Sequence, residues 1–202
     1  MKVLGIAGSA RRNGNSNSLL RLALEGAAER GAETDIIHAT DLTVAGCIAC
    51  EGCKKDEDQG CVVDDDMQRI YEQVRDSDVV VFASPVYFYG VTSWLKAVVD
   101  RMYGFMSPVE PGGEESYGLR IDRGKGFYLI TTQEEPSPYF GYSILAQFVY
   151  GMSWLGMVHR GQLVATDLSK AADWKGRPDL QAAARRLIAA DEGAATGERS
   201  ES

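Results

Sequence analysis

Residues 1–20, MKVLGIAGSARRNGNSNSLL, constrain this chain more than any other stretch, because an apolar strand, a donor-rich turn and a helix start follow without a break. Val3, Leu4, Ile6 and Ala7 form a short run with little polar interruption, the pattern of a central parallel strand covered on both faces. Gly8 breaks it. Between Ser9 and Ser18 stand two arginines, three asparagines and three serines. Leu19, Leu20, Leu22, Ala23, Leu24, Ala27 and Ala28 then repeat at helical spacing. Such a turn offers an anion free backbone N–H groups and the positive end of a helix dipole. No G-x-x-x-x-G-K-[ST] is present, and Gly5, Gly8 and Gly14 do not form G-x-G-x-x-G, so neither a triphosphate nor a dinucleotide pyrophosphate is indicated. A terminal phosphate monoester suits the turn. The plainer alternative is that Asn15, Ser16, Asn17 or Ser18 only caps the helix.

At 202 residues the chain suits a single compact domain, expected over residues 1–190, and the final stretch EGAATGERSES (191–202 in the main) lacks large apolar residues and is expected to be disordered. A net charge of -8, from 29 acidic and 21 basic residues, argues against a nucleic-acid partner. No apolar run approaches the roughly 18 residues that cross a bilayer, and the amino end lacks a signal-peptide pattern, so a cytoplasmic protein with no membrane partner is expected.

After the first helix, Glu33 to His38 reads as a strand that follows a stop at Gly31. Residues 41–63 form a cysteine-bearing loop, and Asp64 to Arg75 reads as a helix with acids in its first turn. Asp78 to Ser84, DVVVFAS, is a β-branched run typical of a sheet centre and ends at Pro85. Thr92 to Met102 has helical spacing, and Tyr103 to Gly124 is a long Gly/Pro/Glu-rich excursion. A strand at Lys125 to Thr132, a helix from about Tyr142 to Leu155, a strand at Met157 to Thr166 and a helix at Pro178 to Ala190 complete the pattern. Five strands alternating with helices predict an α/β fold with a doubly wound parallel sheet, whose ligand lies at the carboxyl ends of the strands.

The loops after strands one, three and four therefore converge. The second of these holds Tyr87, Phe88 and Tyr89 between Pro85 and Gly90, which suits a flat ligand with polar edges; the alternative is that the rings are core or subunit contacts. The third, Thr131, Thr132, Gln133, Glu134 and Glu135, supplies hydroxyls and an amide. A monophosphate pocket beside a flat-ring pocket describes a mononucleotide such as FMN. His38 and His159, the only histidines, read as ordinary strand or surface residues.

Cys47, Cys50, Cys53 and Cys61 lie within fifteen residues and no cysteine occurs elsewhere, so they form one local site rather than a disulfide framework. A compact triplet plus a distant fourth suits a cubane iron-sulfur cluster; free redox-reactive thiols and zinc are the alternatives. The acids at Asp56, Glu57, Asp58 and Asp64 to Asp66 place negative charge beside them.

GSARRNGNSNSLL, SPVYFYGVTSWLKAVVDR and the C-x2-C-x2-C-x7-C segment followed by VVDDDM together resemble the NADPH-dependent FMN reductase superfamily, in particular its iron-sulfur flavoprotein branch. The resemblance implies a flavodoxin-like sheet of order 2-1-3-4-5. It implies that Ser9, Arg11, Asn15, Ser16 and Ser18 hold the FMN phosphate, that Pro85, Val86, Tyr87, Phe88 and Gly90 line the isoalloxazine, and that Thr131, Thr132 and Gln133 approach it from the other side. It further implies NAD(P)H as electron donor, chemistry at the flavin with no catalytic side chain, a 4Fe-4S cluster on Cys47, Cys50, Cys53 and Cys61, and a homodimer or homotetramer. The expected function is FMN-dependent NAD(P)H oxidoreduction toward a small-molecule or redox-protein acceptor; the alternative is a non-enzymatic electron carrier.

Overall fold

A computed structural model describes residues 1–55, 60–109 and 117–188. Five parallel strands, β1 (Lys2–Ala7), β2 (Glu33–His38), β3 (Val79–Pro85), β4 (Gly126–Thr132) and β5 (Val158–Ala165), pair in the order 2-1-3-4-5. This is the predicted doubly wound sheet. The strand between β1 and β4 is the VVVFAS run, six of whose residues are buried, as a central strand covered on both faces requires.

The pleat sends alternate side chains to opposite layers. Val3 and Ala7 of β1, with Val79, Val81 and Ala83 of β3, pack against the helices α1 (Asn15–Glu29) and α5 (Pro178–Leu187). Leu4, Ile6, Val80 and Phe82 face the other way, onto α2 (Met67–Asp76), α3 (Ser93–Arg101) and α4 (Tyr139–Ser153). The winding of the chain across the sheet switches sides between β1 and β3, so the carboxyl ends of those parallel strands open a crevice between their loops.

Two expectations need correction. Asp64, Asp65 and Asp66 precede α2 rather than forming its first turn: Asp66 accepts from the Thr43 N–H, and Asp65 accepts from the N–H groups of Ala45 and of Met67, the first residue of the helix. Helix α4 starts three residues earlier than Tyr142, directly after Pro138, because the Gln133 amide donates to the carbonyls of Glu135 (3.1 Å) and Ser137 (2.6 Å) and closes the preceding turn. Within the 103–124 excursion, Met106–Ser107 pairs antiparallel with Gly118–Leu119. Asp56 to Asp58, part of that excursion and the 191–202 tail lie outside the described residues.

Helix α4 also divides. Phe148, Met152 and Leu155 just beyond it are core, whereas Tyr150 is 76% exposed and Trp154 56% exposed. Among the described residues, no helix is long and apolar enough to cross a membrane.

Candidate functional site

The loop after β1 is held by its own polar groups. Gly8 N–H donates to the Ala83 carbonyl of the neighbouring strand (2.8 Å), and the Ser9 hydroxyl accepts from the Arg11 N–H (3.2 Å). The Asn17 amide reaches back to the carbonyls of Ser9 (3.0 Å) and Arg11 (3.3 Å). The turn is therefore shaped from inside, and Asn17 is a structural residue that its spacing alone did not single out.

Helix α1 has Gly14 at its cap position, in extended conformation and with no side-chain cap. The capping reading for Asn15, Ser16, Asn17 and Ser18 therefore fails: all four lie inside the first helical turn and are buried. The first backbone N–H groups of a helix have no intrahelical acceptor. Ser16 is 1% exposed and its hydroxyl has no hydrogen-bond partner among the described residues. A buried hydroxyl without a partner is costly and uncommon, and at a helix start it marks a place shaped for an acceptor-rich ligand.

These residues line a crevice of about 170 Å³ whose walls come from four loops. Ser9, Arg11, Asn15 and Ser16 come from the first, Pro85, Val86 and Tyr87 from the loop after β3, and Thr132 and Gln133 from the loop after β4. The Val86 N–H donates to the Thr132 carbonyl (2.8 Å), which joins the second and third loops. The Gln133 side-chain oxygen is buried and has no hydrogen-bond partner among the described residues.

The remaining predicted residues sit differently. Ser18 is buried within α1 and its hydroxyl accepts from Arg21 (3.0 Å). Thr131 is fully buried, and its hydroxyl has no hydrogen-bond partner among the described residues. Phe88 and Gly90 belong to a two-residue turn in which Tyr87 and Gly90 exchange both backbone hydrogen bonds (2.9 and 3.0 Å). Both central residues are left-handed, Phe88 at φ 46° and Tyr89 at φ 64°, and Phe88 is 99% exposed. Tyr89 is braced by Phe140 at the start of α4, the ring centroids 4.5 Å apart.

The fourth wall, Leu168 to Ala171 after β5, was not expected. It is carried across the sheet by Asn15, whose amide donates to the Lys170 carbonyl (2.8 Å) and accepts from the Trp174 N–H (3.2 Å). Both ends of that side chain are thus occupied by protein.

The cysteine loop lies on the α2/α3 side. Cys47 and Cys50 are exposed, Cys53 and Cys61 are half-buried, and all four are free thiols. The loop is pinned at several points. Lys54 donates to the carbonyls of Tyr103 (3.0 Å) and Met106, and Arg120 donates to the carbonyl of Cys53 (3.0 Å). Ala49 and Glu51, on either side of Cys50, are both left-handed. Among the described residues no group of three or more His, Cys, Asp or Glu side chains converges on a point that would hold a metal ion. The four thiols as they stand therefore do not form a cluster or zinc site.

Burial pushes the Asp65 carboxyl up, but hydrogen bonds from Arg101, Ala45 and Met67 and the charge of Arg101 hold it below the ordinary carboxylate range. The Tyr71 hydroxyl, buried and next to Cys61, is driven well above the usual phenol range and donates to the Arg101 carbonyl.

Residues 1–120 match the sequence model of the NADPH-dependent FMN reductase family. An iron-sulfur flavoprotein of Methanocaldococcus jannaschii is 34% identical over 158 residues, covering 70% of this chain and 81% of that protein. One from Methanosarcina thermophila is 46% identical over 101 residues, or 50% of this chain and 52% of the relative, so the alignment there spans about half of each. The NAD(P)H:quinone oxidoreductase of Methanothermobacter marburgensis shares the fold, with a TM-score of 0.63 at 16% identity over 93% of this chain and 99% of that one.

Proposed function

Because the chain belongs to the NADPH-dependent FMN reductase family, an oxidoreductase family, we propose that it binds FMN in the four-loop crevice and passes electrons from NAD(P)H to a small acceptor. FMN, when bound, supplies the hydride-accepting chemistry. The protein's part is to bind, orient and exclude water. The hydroxyls of Ser9 and Ser16, the Arg11 guanidinium and the first amides of α1 receive the phosphate; Asn15 and Ser18 contribute through the backbone and packing of that turn. Pro85, Val86 and Tyr87 flank the ring on one side, with Phe88 and Gly90 setting the turn, and Thr132 and Gln133 flank it on the other, backed by Thr131.

The observation that carries this reading is the buried, partnerless Ser16 hydroxyl at an uncapped helix start inside a crevice shared by those loops. The test is an absorption spectrum of the purified protein, titration with FMN and riboflavin, and steady-state NAD(P)H oxidation with and without a quinone. Flavin bands, preference for FMN and acceptor-dependent oxidation support it. Equal affinity for FMN and riboflavin overturns it.

The relatives named iron-sulfur flavoproteins support a 4Fe-4S cluster on Cys47, Cys50, Cys53 and Cys61. The thiols do not converge, so the proposal requires the loop to close around the inorganic core. Anaerobic reconstitution with iron and sulfide should yield about four irons per chain. FMN-loaded protein free of iron after that treatment refutes the cluster. Four free thiols also suit a reducing, cytoplasmic setting.

Residues 1–190 are read as one domain that self-associates. Support comes from an apolar groove of about 350 Å³ at the end of α4, where Val99, Met102, Tyr103, Tyr150 and Trp154 meet. Sedimentation at micromolar concentration showing only monomer excludes this part.

A further inference from the structure

The loop after β5 places a lysine in the lining of the crevice. The lining carries Arg11 and Lys170 against a single carboxylate residue, Glu134, in a chain whose net charge is -8. Neither cationic head makes a hydrogen bond or ion pair with a described residue, whereas the neighbouring arginines are occupied. Arg12 pairs with Asp41, and Arg21 donates to the Arg12 carbonyl (2.7 Å) and to Ser18. Two positive side chains with no partner among the described residues thus line the same crevice as a buried, partnerless hydroxyl at a helix start, a combination suited to an anion.

The position of Lys170 is built. Its backbone N–H donates to the Asp173 carboxylate (2.7 Å), and its carbonyl accepts from Asn15 (2.8 Å), a residue of the first turn of α1. The other end of the Asn15 amide takes the Trp174 N–H (3.2 Å). A side chain with the chemistry of a phosphate ligand is thus spent on holding a distant loop against the site.

We propose that Lys170 is a second cationic ligand of the phosphate monoester, facing Arg11 across the crevice, and that Asn15 is the positioning residue that keeps it there. This rests on the reading of the crevice as an FMN phosphate site. The familiar phosphate loops carry their lysine in the loop itself; here the cation arrives from the opposite end of the sheet.

The test is titration of flavin-free protein with FMN and with riboflavin, at low and high salt, for wild type, Lys170→Ala, Lys170→Arg, Asn15→Ala and the double Ala variant. Lys170→Ala is expected to weaken FMN about fivefold while leaving riboflavin unchanged, with a flatter salt dependence, since one screened charge pair is removed. Lys170→Arg should restore FMN binding. Asn15→Ala should weaken FMN, and adding Lys170→Ala should cost little more, because Asn15 acts through Lys170. Should Asn15→Ala not fold, the two Lys170 variants still decide. FMN affinity of Lys170→Ala equal to wild type, or an equal loss for FMN and riboflavin, overturns the role of Lys170 while the phosphate reading stands. Wild-type protein that does not prefer FMN over riboflavin overturns both.

Discussion

The guanidinium of Arg101 lies 3.3 Å from the sulfur of Cys61, and its other branch pairs with Asp65. Arg101 is 2% exposed, so helix α3 sends a buried cation into the root of the cysteine loop. Asp65, one of the acids that the local sequence places beside the cysteines, is therefore answered by a charge from a different helix.

Breaking that pair should be expensive. Replacing Arg101 with Met leaves Asp65 without its cation and should cost about 3–5 kcal/mol. The pH dependence has a definite sign. The folded carboxyl is held below its ordinary value, so its stabilisation is present above the unfolded pKa of about 4 and disappears as the pH falls through the folded value. Urea unfolding across pH 7 to 3 should therefore show wild type losing more stability on acidification than Asp65→Asn. Parallel curves would contradict this assignment.

Ser16→Ala separates folding from binding. The hydroxyl is buried without a partner, so its removal should leave the flavin-free protein as stable or slightly more so. FMN should nevertheless bind more weakly, by about 1–3 kcal/mol, because a hydrogen bond to a charged phosphate is lost. Thermal unfolding and FMN titration of the same samples measure the two effects. A loss of stability with FMN affinity retained would show the hydroxyl to be structural.

Much of this was readable from local pattern. The β-branched VVVFAS run reads as a strand buried on both faces, and a polar turn between an apolar strand and a helix has few uses, so the parallel sheet and three of the crevice loops follow from short-range information, whereas the strand order is implied by the family resemblance. What escaped depended on distant partners. Asn15 looks like a cap because caps are local, yet its amide bonds to Lys170, 155 residues away. Asp65 looks like a dipole acid, but its cation is Arg101, 36 residues away. Phe88 and Tyr89 carry no sign of left-handed backbone, since neither residue type favours it.

Gly26→Ala probes the fold apart from the site. A methyl group there would stand 2.1 Å from the Arg185 carbonyl oxygen of α5, and a backbone atom cannot swing aside. The helices must separate, at a cost of about 1–3 kcal/mol. Gly26 is about three turns along α1 from the crevice. The ratio of FMN to riboflavin affinity should therefore be unchanged, which binding of both flavins to the destabilised variant will show.

The turn at Phe88 and Tyr89 makes the strongest prediction about a trade of stability for function. A tight two-residue turn with both central φ values positive favours Asn-Gly, and bulky L-residues held there cost about 1–2 kcal/mol each. The contact of Tyr89 with Phe140 returns part of that. The double change Phe88→Asn with Tyr89→Gly should therefore stabilise the flavin-free protein by about 1 kcal/mol. It also removes two rings from the turn that follows Tyr87, a residue of the crevice wall, so riboflavin, which has the ring system without the phosphate, should lose affinity by a factor similar to FMN. That pattern is opposite to the one expected for the phosphate residues. Chemical denaturation together with titration of both flavins checks it, and a variant that is both less stable and unchanged in flavin affinity would remove the turn from the binding site.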